Sequence, residues 1–384
     1  MDLLPVNFFI LRFCGVWKYH EDNNSITTNF FIFCYRYTIV IVIYLFTISE
    51  IILLVRTRNN MEDLIDVLFL TLTYMTLCLK YINFSVRQCE LRALLDCFRT
   101  ELCQPRNSTE KSILRRYSRK AKQNACLYLF MCQTTGLLFL TMPLLTSDER
   151  RLPCKVYLPY SIATLVPYVL TYLQQVVVFT YGIIINVSFD SLVYGLIIHT
   201  CGQIELLCHR LTETFKFFRD IDEERKTDAA ENSFIAECVI HHILIYNIIQ
   251  RIQSLFVWTI AILFLFSLIT LCTSIYQISK KELFSFEFFN IMLYLGSMMF
   301  QVFSYCWYGN ELDLKNKSIA HAVYTSNWTV ISAKQRKNLL LVMMMSQRGR
   351  ILSFYGVCSL ILNTFTWIIR TSYSAFNLLQ QVSN

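Results

Sequence analysis

An all-α membrane fold is predicted by three features of this chain: helix-length apolar runs, scarce charge, and a lopsided distribution of lysine and arginine. Hydrophobic residues fill 55% of the 384 positions and charged residues only 16%, with a mean hydropathy of +0.43. A soluble domain is about a quarter charged, so this chain has too few charges to coat a globule of its size. Its start, MDLLPVNFFILRFCGVW, carries an early acid and proline and no small-residue cleavage site. The first membrane helix is therefore expected to serve as the targeting signal.

A bilayer crossing needs about 20 apolar residues. Seven runs meet this, at about 33–55, 64–84, 124–145, 166–198, 257–278, 286–308 and 351–380. The second holds Lys80 near one end, where its long stem is expected to snorkel to the interface. The fourth exceeds one crossing and is expected to project from the membrane. The seventh runs into Thr371, Ser372, Tyr373 and Ser374 before turning apolar again.

The connecting loops sort by charge. Lys and Arg number two before the first run, ten at 85–122, six at 199–256 and seven at 309–350. The alternate loops hold two, three and two. The basic side is expected to be cytoplasmic, which puts the N-terminus inside and, after seven crossings, the C-terminus outside. That orientation excludes a G-protein-coupled receptor. Asp-Arg-Tyr and Asn-Pro-x-x-Tyr motifs are also missing, and YCWYG at 305–309 lacks the kinking proline. The sequons at Asn23, Asn83, Asn107, Asn186, Asn316 and Asn327 all fall outside the external loops, so none is expected to be glycosylated.

The inside loops have helical periodicity. Ile204, Leu207, Leu211, Phe215 and Phe218 recur every three or four residues, as do Ile235, Cys238, His242, Ile245, Ile249 and Ile252. The charged stretch FRDIDEERKTDAAEN between them reads as a solvated turn. Cytoplasmic helices over about 199–256 and 316–349 are expected to bury their apolar stripes in an anchor bundle, so that residues 1–384 form a single seven-helix domain.

Little in the chain speaks for catalysis. The 15 cysteines are odd in number and include no Cys-x-x-Cys, which argues against a disulfide scaffold or a zinc knuckle. His199, Cys201, Cys208 and His209 are close in sequence, but i and i+2 do not face one another on a helix. His242 reads as a packed core histidine. No phosphate loop or Gly-x-Ser-x-Gly occurs. The runs show no buried acid pair of the kind a proton-coupled transporter uses; Asp190 and Glu205 are the candidate exceptions, and both lie toward the cytoplasmic end of the fourth run. No enzyme activity, catalytic residue, metal or cofactor is expected. The net charge of +8 follows the loops, so membrane lipid and not nucleic acid is the expected contact.

The outer halves of the runs carry aromatic and small polar residues instead. The second has Phe69, Thr71, Tyr74 and Met75. The third has Gln133, Gly136, Phe139 and Met142. The fourth has Tyr168, Tyr172, Leu173 and Val176, and the sixth Phe289, Met292 and Tyr294. Packing and the interfacial aromatic belt explain such residues singly. Together they describe an apolar pocket with a few polar handles, suited to a small, volatile, hydrophobic ligand.

The C-terminal motifs are specific. YCWYGNEL at 305–312 is followed by Ser318 and by YTSNW at 324–328. KQRKNLLLVMMMSQ follows at 334–347 and SYSAFNLL at 372–379. In this order and spacing they resemble the closing region of the insect odorant receptor family. The gustatory Thr-Tyr…Gln-Phe ending is missing, as is the long insertion that the olfactory co-receptor carries between helices four and five. The chain thus resembles a tuning, odor-binding subunit. The resemblance implies a non-selective cation channel gated by odorant, assembled as a heteromer (a tetramer) with the olfactory co-receptor in the plasma membrane of sensory dendrites. It implies a pocket among helices two, three, four and six and a pore lined by the seventh helix. There Tyr373, Phe376 and Gln380 share one face, with Leu379 beside them, Phe376 as an apolar constriction and Gln380 as a polar ring. Ser372 and Ser374 are free to bond neighbouring helices or their own backbone. The alternatives are a gustatory-type channel acting without the co-receptor, and a transporter. A transporter is expected to show repeats or broken helices, and neither is apparent.

Overall fold

The computed structural model describes residues 4–17, 26–146, 152–220, 228–326, 328, 331–348, 352–354 and 358–383. Ten α-helices carry nearly all of its regular structure: α1 Pro5–Phe13, α2 Ile26–Arg56, α3 Met61–Val86, α4 Gln88–Arg99, α5 Ser108–Thr146, α6 Leu165–Asp220, α7 Asp228–Lys280, α8 Phe286–Thr325, α9 Ala333–Gln347 and α10 Leu362–Ser383. A 3₁₀ turn at Glu101–Cys103 and two paired strands, β1 Ser353–Phe354 and β2 Cys358–Ser359, complete the described elements. Six of the described helices, α2, α3 and α5 to α8, are long and apolar enough to cross a membrane.

The apolar runs three to six each form one end of a longer helix. The adjoining stretches keep the same three-to-four-residue periodicity, so no breaker separates them from the apolar runs. Burial explains the different appearance of the helices. On α2, Ile41, Leu45, Ile48, Ile52 and Val55 form an exposed apolar stripe that suits lipid tails. On α6, every residue from Val187 to Ile204 is buried, the mark of a helix enclosed on all sides. α5, α7 and α8 pack around it.

Helix starts follow local chemistry. The Asn60 side chain accepts from the Glu62 N–H, and Glu62 and Asp63 sit in the first turn of α3, where acids favour the helix dipole. The Ser285 side chain accepts from the Phe288 N–H to start α8. Sequence periodicity missed α1 and α4, which are too short to register as crossings. α4 is nonetheless strongly amphipathic, burying Leu91, Leu94, Leu95 and Phe98.

The seventh run differs from expectation. Its helix begins at Leu362, not near 351. The stretch before it turns back in a two-residue pairing, Ser353 with Ser359 and Phe354 with Cys358. This presses the Leu360 carbonyl onto α8 at Gly309, where a Cβ would lie 2.3 Å from the oxygen. The glycine of the YCWYGNEL motif is thus required by a close backbone approach.

At the basic end, the lower parts of α5 to α8 join α4 and α9 in a helical bundle. Arg210 on α6 fastens the 3₁₀ turn by donating to the carbonyls of Leu102 and Gln104. It also pairs with Glu110 at 2.9 Å, both side chains buried. Glu205 gathers Lys315 and the Tyr117 hydroxyl. His242 is buried on α7 beside the more deeply buried His241.

Candidate functional site

Four helices turn one face each toward a common cavity of about 80 Å³. From α3 come Leu70, Thr73, Tyr74 and Leu77; from α5 Tyr128, Cys132, Thr135, Gly136 and Phe139. α6 supplies Phe179, Gly182, Ile183, Asn186 and Val187, and α8 supplies Tyr294, Ser297 and Met298. On each helix these positions recur at three- and four-residue steps, the spacing of a single helical face. Gly182 keeps the wall thin: a Cβ there would stand 3.1 Å from the Tyr74 ring.

Aromatic rings make the outer wall. Phe69 meets Tyr294 edge-on at 5.1 Å and Phe139 at 6.3 Å. Tyr74 packs on Phe46 at 4.8 Å. The hydroxyls are tied to the protein. Thr73 and Tyr294 share a hydrogen bond of 2.7 Å. Thr135 donates to the Met131 carbonyl and Ser297 to that of Leu293.

The floor is ionic. Lys80 lies 2.6 Å from Asp190 with both side chains shut from solvent, and it donates to Asn186 Oδ1 at 2.8 Å. Gln301 and Tyr305 donate to the two Asp190 oxygens at 2.5 and 2.8 Å. Lys80 therefore does not snorkel. Although Lys80 is near one end of the run, the carboxylate of Asp190 and its donors lie within reach and replace hydration.

The loop before α6 is held to α6 and α3. Gln175 on α6 accepts from the Cys154 N–H and donates to the Cys154 carbonyl, both at 3.1 Å. Lys155 pairs with Asp63 and Asp66 at 3.2 and 3.5 Å. Burial lowers the Lys155 pKa, and these carboxylates more than offset that, leaving it above the ordinary value.

Of the residues expected in a pocket, Tyr74, Gly136, Phe139 and Tyr294 line the cavity, and Phe69 backs it. The others lie a helical step away. Thr71 donates to Glu50 at 3.1 Å, Gln133 to the Thr180 carbonyl at 3.4 Å, and the Tyr172 hydroxyl to the Leu140 carbonyl. Leu173 and Met292 are exposed, and Met75 and Val176 are partly buried outside the lining. Thr73, Thr135, Ile183 and Ser297 join the lining without having stood out in the sequence, though extending the three-to-four spacing from Tyr74, Gly136 and Tyr294 reaches such positions. Asn186 had only its polarity within an apolar run as a signal.

On α10, Tyr373 and Gln380 are exposed. Phe376 differs from its expected pore-facing position: it is buried against Ile65, Cys272 and Tyr276, with Leu379 packed beside them. Apolar partners on α3 and α7 draw the ring inward. Ser372 donates to the Leu268 carbonyl of α7 at 3.2 Å. The outward face carries Asn363, Arg370, Ser374, Asn377 and Gln381 together with the exposed Trp367, and Leu378 lies at its edge.

A larger cleft of about 320 Å³ lies at the basic end, among Arg106, Glu110, Arg210, Glu237 and His241. Its charged lining does not suit an apolar ligand, so it is the weaker candidate. Among the described residues no three His, Cys, Asp or Glu side chains converge as metal ligands.

This architecture defines an all-helical, multi-pass membrane protein. Residues 60–373 match the family described as 7tm odorant receptor, and the chain belongs to that family, which is non-enzymatic. It is similar to odorant receptor 46a, isoform A, of Drosophila melanogaster, at 23% identity over 91% of each chain. It is also similar to odorant receptor Or1 of Anopheles gambiae, at 23% identity over 100% of this chain and 96% of that one. The fold matches the insect olfactory receptor OR5 from Machilis hrabei with a TM-score of 0.85, at 17% identity, covering 98% of this chain and 97% of the other. The same receptor in complex with eugenol matches with a TM-score of 0.86.

Proposed function

We propose that this chain is the odorant-binding subunit of a non-selective cation channel, assembled with the olfactory co-receptor in the plasma membrane. The observation that carries the ligand reading is the cavity between α3, α5, α6 and α8, with its aromatic walls and small polar handles. Its small volume favours a compact organic molecule. Eugenol, bound by the Machilis hrabei receptor of the same fold, is the kind of ligand carried over to this chain.

In this reading α10 is the seventh crossing. Its 22 residues span about 33 Å at 1.5 Å per residue, enough for a bilayer core. Along the exposed face, Asn363, Arg370, Ser374, Asn377 and Gln381 accompany one apolar residue, Trp367, a polar series that suits a wet pore better than lipid. Tyr373 and Gln380 flank this face, while Phe376 and Leu379 hold the helix to the subunit. The basic end is cytoplasmic, the N-terminus lies on that side, and the lower bundle, expected over about 199–256 and 316–349, forms the anchor where subunits meet. Odorant gates the pore by binding the open arrangement better than the closed one.

Patch-clamp recording with and without the co-receptor, under a broad odor panel, tests this. Odor-evoked cation current only when both chains are present is the expected result. Current from this chain alone favours a gustatory-type channel. Saturable uptake without unitary conductance favours a transporter.

A further inference from the structure

The chemistry of the cavity floor is set from behind. Lys80 Nζ has only hydrogens to offer, so the Asn186 atom facing it at 2.8 Å is the carboxamide oxygen. Lys80 is itself pinned by Asp190, which Gln301 and Tyr305 hold in turn. The Asn186 amide therefore cannot flip. Asn186 reaches the cavity while Lys80 does not, and its Nδ2 meets no protein acceptor among the described residues. Five lining hydroxyls are otherwise engaged. Those of Thr73, Thr135 and Ser297 bond carbonyls of their own helices, and those of Tyr74 and Tyr294 donate to the Val178 and Phe69 carbonyls. Hydroxyls rotate to suit a ligand, whereas an amide fastened at its oxygen presents a fixed donor.

We infer that Asn186 is a specificity-determining residue: its Nδ2–H group donates to an acceptor oxygen, so the preferred ligands are small apolar molecules bearing a carbonyl or ether oxygen. This deepens the proposed function and rests on the cavity being the ligand site. A hydrocarbon of the same shape fills the same walls but leaves a desolvated N–H unpaired, and sites built to pair a polar atom reject analogues that lack it.

The test uses pairs of probes differing only in C=O against C=CH₂: acetophenone with α-methylstyrene, and 2-heptanone with 2-methyl-1-heptene. Binding is measured by ligand-induced thermal shift and tryptophan fluorescence on the detergent-purified full chain. At least one ketone should bind on the order of tenfold more tightly than its alkene, the worth of one hydrogen bond to a desolvated donor. Asn186→Asp keeps an oxygen on Lys80 and replaces the cavity-facing donor with an acceptor. It should erase that preference and turn the site toward the matching alcohols, 1-phenylethanol and 2-heptanol. A panel in which no ketone outbinds its alkene overturns the inference, and this comparison needs only the native chain. Gly136→Leu separates the two readings. It fills the cavity after a small shift of the Ile183 methyl, the atom nearest a Cβ there. Ketone binding that survives Gly136→Leu unchanged overturns the cavity as the ligand site, and the Asn186 inference with it.

Discussion

Lys80 on α3 and Asp190 on α6 face each other at 2.6 Å in the interior, their side chains 3% and 0% exposed. The pair joins two helices far apart in sequence and fixes the rotation of each. Removing one partner strands the other charge, which costs about 3–5 kcal/mol in a buried pair. Lys80→Met should lower the thermal midpoint of the purified chain sharply. Lys80→Met combined with Asp190→Leu should recover most of the loss. A double variant no better than the single would show that the ion pair is not what the interior depends on.

Tyr294 closes the cavity wall by packing edge-on against Phe69 and bonding Thr73. Tyr294→Ala removes the ring and enlarges the cavity. In cells expressing both subunits, the odor concentration for half response should rise about tenfold or more, because a buried aromatic ring offers a ligand a large apolar surface. Responses to an agonist acting on the co-receptor should be unchanged. If both fall together, the defect is in folding or assembly.

Gln175 holds the loop before α6 to that helix through two hydrogen bonds to Cys154, and both residues are buried. Gln175→Ala leaves the Cys154 N–H and carbonyl unsatisfied, at about 1–3 kcal/mol. Amide exchange at residues 152–160 should speed up by about one to two orders of magnitude, with α6 and α8 unaffected. Unchanged exchange in the loop would show that Gln175 does not hold it.

The two faces of α10 make opposite predictions for the proposed channel. Ser374→Cys and Asn377→Cys lie on the exposed polar face and should react with a water-soluble thiol reagent, reducing current. Phe376→Cys lies against Ile65, Cys272 and Tyr276 and should be protected. Faster modification at 376 than at 374 and 377 would restore Phe376 to the pore and invert the helix.

Much of the fold is legible in the sequence because lipid leaves little choice. A crossing must be helical to satisfy its own backbone, and its length and apolarity appear directly in the chain. That is why α2 and α3 cover the first two apolar runs and α5 to α8 each contain one of the next four. Helix ends are harder to read. His199 and Cys201 continue α6 without a local signal, since nothing in the periodicity marks where a membrane surface lies. The start of α10 departs from expectation for the opposite reason: the run from 351 is apolar enough to look helical, but 352–354 pair with 358–360 and the Leu360 carbonyl packs onto Gly309.

The candidate site divides in the same way. Tyr74, Gly136, Phe139 and Tyr294 can be picked out because large aromatics and a glycine within apolar helices invite a pocket. Their neighbours Thr71, Tyr172 and Met292 look just as suitable in sequence, yet a helix places adjacent residues about 100° apart, so one step decides between cavity and lipid. Only packing sets that rotation.

By itself the sequence determined the class of molecule: a helical membrane protein with a basic side, long helices, and a C-terminal motif series resembling one receptor family. These properties depend on composition and on local spacing, which every residue carries with it. The tertiary structure alone decided which faces meet. It brought Lys80 to Asp190, turned Asn186 toward the cavity and Phe376 away from the exposed face, and required a glycine at 309. Each of these is a contact between helices distant in the chain. Long-range contacts are selected by the collective packing of all the helices, and no local pattern encodes them.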